Sequence, residues 1–228
     1  LLISSYALCY YAIYSCSKVS FAILAMICMG PLAILIGINV AHDAAHNAIS
    51  SKKWINRSFL YLFDALGANS YMWKNRHVFS HHSFPNILNE DADLKQHPLV
   101  RIFPTDVLRK IHKYQFIYAP FLYLLYTLNW LYFRDFQDFN AQKIGSLENQ
   151  RHKTIEWIKL FLFKAIYITV IIVLPAWYSP LSLPAFILGF FCMNFAASIT
   201  ITLALIPSHV AEYSRFPLPD KNGLMPYS

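Results

Sequence analysis

Histidines gather in two short runs of this chain. The first is His42-Asp43-Ala44-Ala45-His46 and the second is His77-Val78-Phe79-Ser80-His81-His82, so that the runs hold five of the nine histidines. Neutral imidazole binds iron, zinc, copper and nickel, and residues i and i+4 of a helix lie on one face, one turn apart. A single His-x-x-x-His pair is weak evidence, but two such runs together predict a metal site.

The residues that are absent favour two irons held mainly by histidine. A carboxylate-rich di-iron bundle needs Glu-x-x-His pairs, and no glutamate here stands three residues before a histidine. A zinc hydrolase of the His-Glu-x-x-His type is excluded because that motif is missing. Five or six histidines also exceed what one zinc ion requires, so the ligand count fits two metal ions better.

The composition is that of an integral membrane protein. Hydrophobic residues make up 57% of the 228 residues and charged residues only 14%, against about 25% charged in a soluble domain. The stretches 1–17, 19–41 and 165–210 contain no Asp, Glu, Lys or Arg, and the last is long enough for two helices of about 20 residues each. The net charge of +7 is explained by membrane topology rather than by nucleic-acid binding, because the basic residues cluster in a few connecting segments.

The pattern predicts an all-α membrane fold with four transmembrane helices in two hairpins and a cytoplasmic helical cap that carries the histidines. The predicted spans are about 1–16, 21–41, 155–177 and 184–207, with 42–154 cytoplasmic or interfacial and 208–228 the start of a C-terminal cytoplasmic part. The basic segments 41–113 and 134–164 both belong on the cytoplasmic side. An even number of crossings must therefore separate them, so Phe116–Phe133 is expected to lie in the interface or to re-enter, and Trp54–Leu66 to form an interfacial helix.

The fourth span returns the chain to the cytoplasmic side just before His209. Six histidines are then expected on one membrane face, and these are the candidate metal ligands: His42, His46, His77, His81, His82 and His209. The alternative for His209 is an interfacial histidine that binds no metal. No catalytic residue is predicted beyond the ligands themselves.

These residues resemble the membrane fatty acid desaturases, within the wider histidine-box group of membrane hydroxylases and desaturases. The resemblance rests on His42-Asp-Ala-Ala-His46, on His77-x-x-x-His81-His82 and on the downstream Phe84-Pro85-Asn86 with Asn89-x-Asp91-x-Asp93. It covers nearly the whole chain, and the first box and acidic loop look most like the front-end acyl desaturases. The five histidines of the two boxes match the family's ligands, and family members can carry a further ligand at the position of His209.

The resemblance implies a reaction and its cofactors. In that family two irons activate dioxygen, and two hydrogens are removed from adjacent methylenes of an acyl lipid or acyl-CoA. Membrane lipid is a further expected partner. Electrons come from a b-type cytochrome or from a ferredoxin with its reductase. The family also has a third box, His- or Gln-x-x-His-His, which does not occur before Ser228. We therefore expect residues 1–228 to be a single membrane desaturase domain, truncated at both ends.

Other polar and aromatic residues have weaker assignments. Candidates for orienting the ligands are Asp43, Asn47, Asn86, Asp91 and Asp93, with helix capping and a solvated loop as the alternative. Trp73 and Asn75 are candidates for an acyl channel, although Trp73 also suits an interfacial anchor. His97, His112 and His152 are expected on solvated faces. Lys110 and Lys113 either meet a phosphate or enforce topology, and the latter is commoner. The cysteines Cys9, Cys16, Cys28 and Cys192 are expected to be buried hydrophobes.

Two other functions remain open at this stage. One is a hydroxylase or ketolase with the same type of site, acting on an alkane, sterol precursor or carotenoid. The sequence distinguishes it poorly from an acyl desaturase. A membrane metal transporter would carry charged residues inside its spans, and the spans are expected to lack them. A b-haem protein needs paired histidines deep in facing spans, which the sequence does not supply.

Overall fold

The structure, a computed structural model, describes residues 1–94, 98–148, 151–211 and 213–218 and is mostly helical, as predicted. The α-helices are α1 (Leu2–Ser15), α2 (Val19–Ile36), α3 (His42–Ala45), α4 (Lys53–Leu60), α5 (Leu62–Ala65), α6 (Ser70–Lys74), α7 (Gln115–Leu124), α8 (Tyr126–Asn129), α9 (Asp135–Asn140), α10 (Thr154–Ile168), α11 (Leu174–Tyr178) and α12 (Leu183–His209). The π-helical segments are Gly37–Ala41, Asn75–His81, Trp130–Arg134 and Thr169–Val173, and Lys110–Tyr114 is a 3-10 helix. Strands β1 (Lys143–Ile144) and β2 (Leu147–Glu148) form an antiparallel hairpin.

Within the described ranges, three helices are long and apolar enough to cross a membrane. They are Val19–Ala45, Thr154–Tyr178 and Leu183–His209, with mean hydropathies of 2.6, 2.2 and 1.9. Each matches one of the predicted spans. The bent pair Lys110–Leu124 and Tyr126–Asn140 gives a fourth candidate if it is counted as one span. Its two halves meet at 60°, so this segment is either a broken span or a re-entrant one.

The helix α1 corresponds to the first predicted span but is short. It has 14 residues and is therefore about 21 Å long, whereas the hydrocarbon core of a bilayer is about 30 Å thick. It packs against α2 through Ile13, which is buried among the side chains of the main core. The arrangement of four spans in two hairpins thus stays a prediction.

The main core lies where α2 packs between α1 and α12. Met26 and Met29 from α2 meet Phe186 and Met193 from α12, and all four are buried. The backbones approach most closely at Gly30, where an added Cβ would lie 2.2 Å from the Met193 carbonyl oxygen. Helices in membranes pack through small residues because these let the backbones come together.

The bend between α7 and α8 is held by a buried polar contact with α12. Leu125 ends the first helix, and the Thr127 backbone N–H, at the start of the second, donates to Ser198 Oγ at 3.1 Å. A broken helix frees backbone groups that must be satisfied inside the protein when no water is present. Ser198 satisfies one of them and so fixes the bend against α12.

Two expectations are wrong in detail, one about a connecting segment and one about the spans. The interfacial helix predicted at Trp54–Leu66 is divided into α4 and α5 at Tyr61, and it turns Phe63 and Asp64 into the protein. The spans are also not free of charge, because Lys164 lies buried in α10. Its ammonium group donates to Asp135 Oδ2 at 2.8 Å and to the Gly67 and Leu131 carbonyl oxygens. An ammonium with three acceptors, one of them a carboxylate, can remain buried.

The close approach at Gly30 gives a stability prediction for the full-length natural protein. We expect Gly30→Ala to lower the free energy of unfolding by about 1–3 kcal/mol, the usual cost of overpacking, because the obstructing atom is backbone and cannot rotate away. For a chain of this size the corresponding loss in Tm is roughly 2–10 °C, measured by thermal unfolding in detergent. Gly189→Ala is the matched control, because its Cβ would meet the movable Met26 side chain at 2.6 Å. An equal loss in the two variants would contradict the assignment.

Candidate metal centre

The first histidine run lies at the end of the helix Val19–Ala45. The α-helix changes to a π-helical segment at Gly37–Ala41 and ends one turn later, so that His42 and His46 bracket its last turn. The two rings are 4.7 Å apart between centroids, and the His46 N–H donates to the His42 carbonyl oxygen. The predicted pairing on one face is therefore present.

The second run lies on the π-helical segment Asn75–His81, which continues α6. Asn69 caps α6 by accepting from the Met72 N–H at 2.9 Å. In the π-helical segment the His82 N–H donates to the carbonyl oxygen of His77, five residues back, at 3.0 Å. This wider turn brings both His81 and His82 next to His77, with ring centroids 5.4 and 4.6 Å away. An ordinary α-helix would have paired His77 with His81 alone, and π-helical turns are frequent at functional sites.

The ring nitrogens of the two runs converge. His77 Nε2 lies 3.1 Å from His42 Nε2 and 3.0 Å from His82 Nε2. One ligand atom from each of His42, His46, His77 and His82 lies within 4.8 Å of the others. Four imidazole nitrogens at this separation can surround a metal ion.

A second group shares His77 with the first. Ligand atoms of His77, His81 and Asp93 also lie within 4.8 Å of one another. His209, in the last turn of α12, stands against His81 with the ring centroids 4.6 Å apart. All six histidines singled out from the sequence are therefore gathered at one place, five of them in the two overlapping groups and His209 beside His81.

Carboxylates stand behind three of these imidazoles. His77 Nδ1 is 2.5 Å from Asp93, His81 Nδ1 is 2.8 Å from Asp91, and His42 Nδ1 is 3.3 Å from Asp43. A carboxylate at Nδ1 takes the ring proton there and leaves the Nε2 lone pair free for a metal. The Nε2 atoms of His42 and His77 lie 3.1 Å apart, a separation that suits two neighbouring ligands of one metal ion. The donor set therefore fits a metal ion.

The loop after the second run is organised around Asp91. Its buried carboxylate accepts from the backbone N–H groups of Asn86, Asp93 and Leu94 at 2.8–3.2 Å as well as contacting His81. Asn86 and Asn89 adopt positive φ angles of 58° and 66°, a conformation that asparagine tolerates. The alternative of a solvated loop is therefore wrong for Asp91, and this side chain orients His81.

Two imidazoles of the cluster have pKa values below that of a free histidine, and a third has a raised pKa. Burial lowers the pKa of His82 to about 4, aided by the neighbouring His77 and His46. Burial also lowers the pKa of His46. Burial opposes protonation of His81 as well, but its hydrogen bond to Asp91 outweighs that effect and raises the pKa. Metal ligands must be deprotonated, and the first two rings are neutral at pH 7 without any further help.

A buried ion network, not predicted from the sequence, anchors the second run. Arg76, next to His77, is fully buried and binds Asp138 at 3.0 Å and Asp135 at 3.9 Å. Asp135 in turn binds Lys164 of α10 at 2.8 Å. The network joins the π-helical segment to α9 and α10. The sequence signal was the pair Asp135 and Asp138 on one helical face, in a segment otherwise rich in aromatic residues.

A cavity of about 350 Å³ opens onto the histidines. His42, His77 and His209 form part of its wall, and the remainder comes mostly from apolar side chains of α2, α12 and the α8 region. Trp73 is buried in this wall and stacks on His77 with centroids 4.5 Å apart. It is therefore a cavity residue and not an interfacial anchor. A cavity of this size and lining is typical of a small-molecule site.

The remaining candidates fall outside the centre. His152 contradicts its expected solvated position, because its Nδ1 lies 3.0 Å from the Tyr71 hydroxyl and its ring packs on Phe139. His112 contacts the backbone near Arg109 and Pro98. His97 lies outside the described residues. Asn47, with a φ of 58°, and Asn75 lie beside the histidine runs without a hydrogen bond to them among the described residues.

The chain is similar to one protein family and to several known proteins. The family model for fatty acid desaturases matches residues 18–220. The chain is 29% identical to an acyl-lipid (8-3)-desaturase of Physcomitrium patens over 217 residues, 92% of this chain and 44% of that protein. It is 28% identical to an sn-1 linoleoyl-lipid 6-desaturase of Arthrospira platensis over 195 residues, 81% and 50%. For acyl-lipid (8-3)-desaturase B of Dictyostelium discoideum the values are 31% over 185 residues, 80% and 39%.

The chain thus spans about half the length, or less, of these curated relatives. No solved structure matches it.

The carboxylates behind the imidazoles are expected to support metal binding to different degrees, and the full-length natural protein allows a test of this difference. We expect Asp93→Asn to weaken metal binding about 10–100-fold, the usual effect of losing such a partner, because Asp93 holds the histidine shared by both groups. Asp43→Asn is the matched control. Its carboxylate is half exposed and its contact with His42 is longer, so a smaller loss is expected. Metal content after dialysis against a graded chelator series measures both. Equal losses in the two variants would contradict the ranking.

Proposed function

The chain belongs to the fatty acid desaturase family, and on that premise we propose that the full-length protein is a membrane fatty acyl desaturase. It introduces a double bond into an acyl chain with dioxygen at a histidine-ligated di-iron centre. The observation that carries this proposal is the convergence of six imidazoles at the mouth of an apolar cavity. Neither feature alone would suffice, because the reaction needs a metal and a place for a hydrocarbon chain beside it.

His42, His46, His77 and His82 would hold one iron, and His81 with His209 would lie towards the second. Six imidazoles exceed what one ion needs, and this ligand count supports two ions rather than one. Bound iron supplies the activation of dioxygen. The chain's own part is to present neutral Nε2 atoms, and Asp91 and Asp93 hold the rings in that orientation.

The overall chemistry balances with an external electron source. Two hydrogens leave adjacent methylenes, and with one dioxygen, two electrons and two protons they give one double bond and two waters. The electrons come from a b-type cytochrome or a ferredoxin. The cavity wall holds the methylenes against the histidines, and Trp73 restricts how they approach His77. The mostly apolar lining keeps bulk water from the reacting carbons.

The substrate is an acyl lipid, the class named for the three relatives. A lipid substrate can enter the cavity from the bilayer with its head group left at the interface. We assign residues 1–228 to one membrane domain with spans at 1–16, 21–41, 155–177 and 184–207 and the histidines on the cytoplasmic face. The basic residues of the segments that flank the histidine runs support this orientation.

The activity of the full-length protein is tested by expressing it in a cell that supplies electron donors and analysing the acyl chains of its lipids. We expect a new double bond in the natural protein and none in His81→Ala. The variant loses an imidazole of the second group, which Asp91 orients and which His209 contacts. His112→Ala is the matched control and should retain the product. Among the described residues, the hydrogen bonds of the His112 ring are to backbone atoms away from the cluster. Hydroxylated chains without new double bonds would assign the protein to the hydroxylases instead.

His209 gives a separate prediction about the second iron. We expect His209→Ala to lose part of the iron while the iron held by the group around His42 remains, because His209 contacts only His81 of the cluster. Iron per protein, measured by elemental analysis of the purified full-length protein, is the readout. His152→Ala serves as a control because that ring packs on Phe139, away from the centre. An unchanged iron content in His209→Ala would make His209 an interfacial histidine.

A further inference from the structure

A second cavity lies among the helices α4, α5 and α6 and the start of α10. Its volume is about 160 Å³, and among the described residues it shares no wall residue with the cavity at the histidines. Charged side chains stand around it, those of Arg57, Lys74, Glu156 and Lys159. Arg57 is exposed, so this second cavity is in contact with solvent.

One buried carboxylate belongs to the wall of the second cavity. Asp64 of α5 is 2% exposed. Its Oδ1 accepts from the Ser70 backbone N–H at 3.3 Å, whereas its Oδ2 has no hydrogen-bond partner among the described residues. Burial raises the pKa of Asp64 to about 6, the hydrogen bonds from Ser70 oppose the rise, and the nearby Asp135 adds to it. Asp64 therefore gains and loses a proton close to neutral pH.

The buried ion network fills the space between the two cavities. At the Asp64 end, the Lys164 ammonium donates to the carbonyl oxygen of Gly67, whose own N–H donates to the Asp64 carbonyl oxygen at 3.1 Å. Lys164 also binds Asp135, and Asp135 lies 3.9 Å from the Arg76 guanidinium. Arg76 belongs to the wall of the histidine cavity. A line of contacts thus joins the second cavity to the cavity at the histidines.

Polar atoms that lack a partner occur along the whole of this line. Besides Asp64 Oδ2 they are Asp135 Oδ1, Arg76 Nε and Trp130 Nε1, all buried and without a hydrogen bond among the described residues. The Trp130 ring lies against the Arg76 guanidinium, 5.5 Å from its central carbon, and belongs to the wall of the histidine cavity. Buried polar atoms without a protein partner ordinarily bind internal water. These four atoms therefore mark positions for water from one cavity to the other.

We propose that this line is a proton path, in which Asp64 takes protons from the second cavity and passes them towards the histidine cavity. This inference rests on the proposed desaturase function and deepens it. The reaction consumes two protons for each double bond, and the mostly apolar wall of the histidine cavity keeps bulk water from supplying them. A route for protons through the protein is therefore needed.

The transfer moves protons only, and nothing is oxidised or reduced in it. The Asp64 carboxyl group gives its proton to water beside Asp135 and takes another from water in the second cavity. Arg76 keeps its own proton at all working pH values, so it orients water and does not relay. Asp64 acts through Asp135 and Arg76 and does not touch the substrate. It is a positioning residue for protons.

The test compares two substitutions of Asp64 in the full-length natural protein, in membranes that supply its electron donor. Asp64→Asn keeps the shape and the acceptor for Ser70 but cannot carry a proton, and it should lower the rate of double-bond formation about 100-fold. Asp64→Glu keeps the carboxyl group and should retain more of the rate than Asp64→Asn. A structural role predicts the opposite order, because asparagine fits the site better than glutamate, and that order would overturn the inference.

Two further readouts separate proton transfer from a structural defect. In Asp64→Asn the solvent deuterium isotope effect on the rate should exceed that of the natural protein, and added formate should restore part of the rate by carrying protons through the second cavity. An unchanged isotope effect without rescue by formate would contradict the proposal. The absence of desaturated product from the natural protein would instead refute the proposed function.

Glu156→Gln is the matched control. Its carboxylate stands at the same cavity but is paired with Lys159 at 3.0 Å, and among the described residues it has no hydrogen bond to the ion network. We therefore expect the natural rate and the natural isotope effect. A loss equal to that of Asp64→Asn would overturn the assignment of Asp64.

The dependence of the rate on pH has a sign that the metal ligands cannot give. The protonated carboxyl group of Asp64 supplies the proton, so the rate should fall as the pH rises above about 6, and this fall should be absent from Asp64→Asn. Protonation of ligand imidazoles lowers the rate in the other direction, as the pH falls. The charged groups around Asp64 are the same in both proteins: Arg57, Lys74, Asp135, Glu156, Lys159 and Lys164. Profiles of the same shape in the two proteins would overturn the proposal.

A final measurement requires no turnover. Infrared difference spectra of the purified natural protein, recorded as the pH is lowered through about 6, should show the carbonyl stretch of a newly protonated carboxyl group. The band should be missing from Asp64→Asn and present in Glu156→Gln. Identical spectra of the natural protein and Asp64→Asn would contradict the role of Asp64.

Discussion

The structure depends on holding the ring nitrogens of two separate histidine runs about 3 Å apart. Carboxylates lie beside Nδ1 of His42 and His77, and the Nε2 atoms of these two rings are 3.1 Å apart. The rings stay together because each run lies on a helical segment, the first at the end of the helix Val19–Ala45 and the second on the π-helical segment Asn75–His81.

The second run is held in place by charged side chains that are buried, and burial of charge is energetically unfavourable unless the charges are paired. Arg76, Asp135, Asp138 and Lys164 are all buried, and an uncompensated charge in that position would destabilise the fold strongly. As a closed network they join the second run to α9 and α10. The charge of Lys164 in α10 therefore helps to hold the second histidine run in place. A charged residue inside a span would otherwise favour a transporter, and this structural role of Lys164 removes that argument.

Histidine spacing and hydropathy were sufficient to single out the histidines that the structure gathers at one place and three of the long apolar helices, because residue type and span length are local properties of the chain. That these histidines bind a metal stays a prediction. The features that were not predicted, or were predicted wrongly, depend mostly on contacts between remote parts of the chain. The π-helical turn that brings His82 onto His77 cannot be read from an i, i+4 pattern, and the burial of Lys164 depends on a partner 29 residues away. His152 was misplaced for the same reason, since Tyr71 and Phe139 cover it from remote parts of the chain. Asp91 was half predicted, since its proximity to the second run was visible but its three backbone contacts were not.

The most direct test of the account is X-ray absorption at the iron edge on the purified full-length protein. The clusters around His77 predict two iron ions per protein, each surrounded mainly by imidazole nitrogen, with the outer-shell scattering that intact imidazole rings give. Iron ligated mainly by oxygen, or a centre that contains zinc alone, would contradict the account.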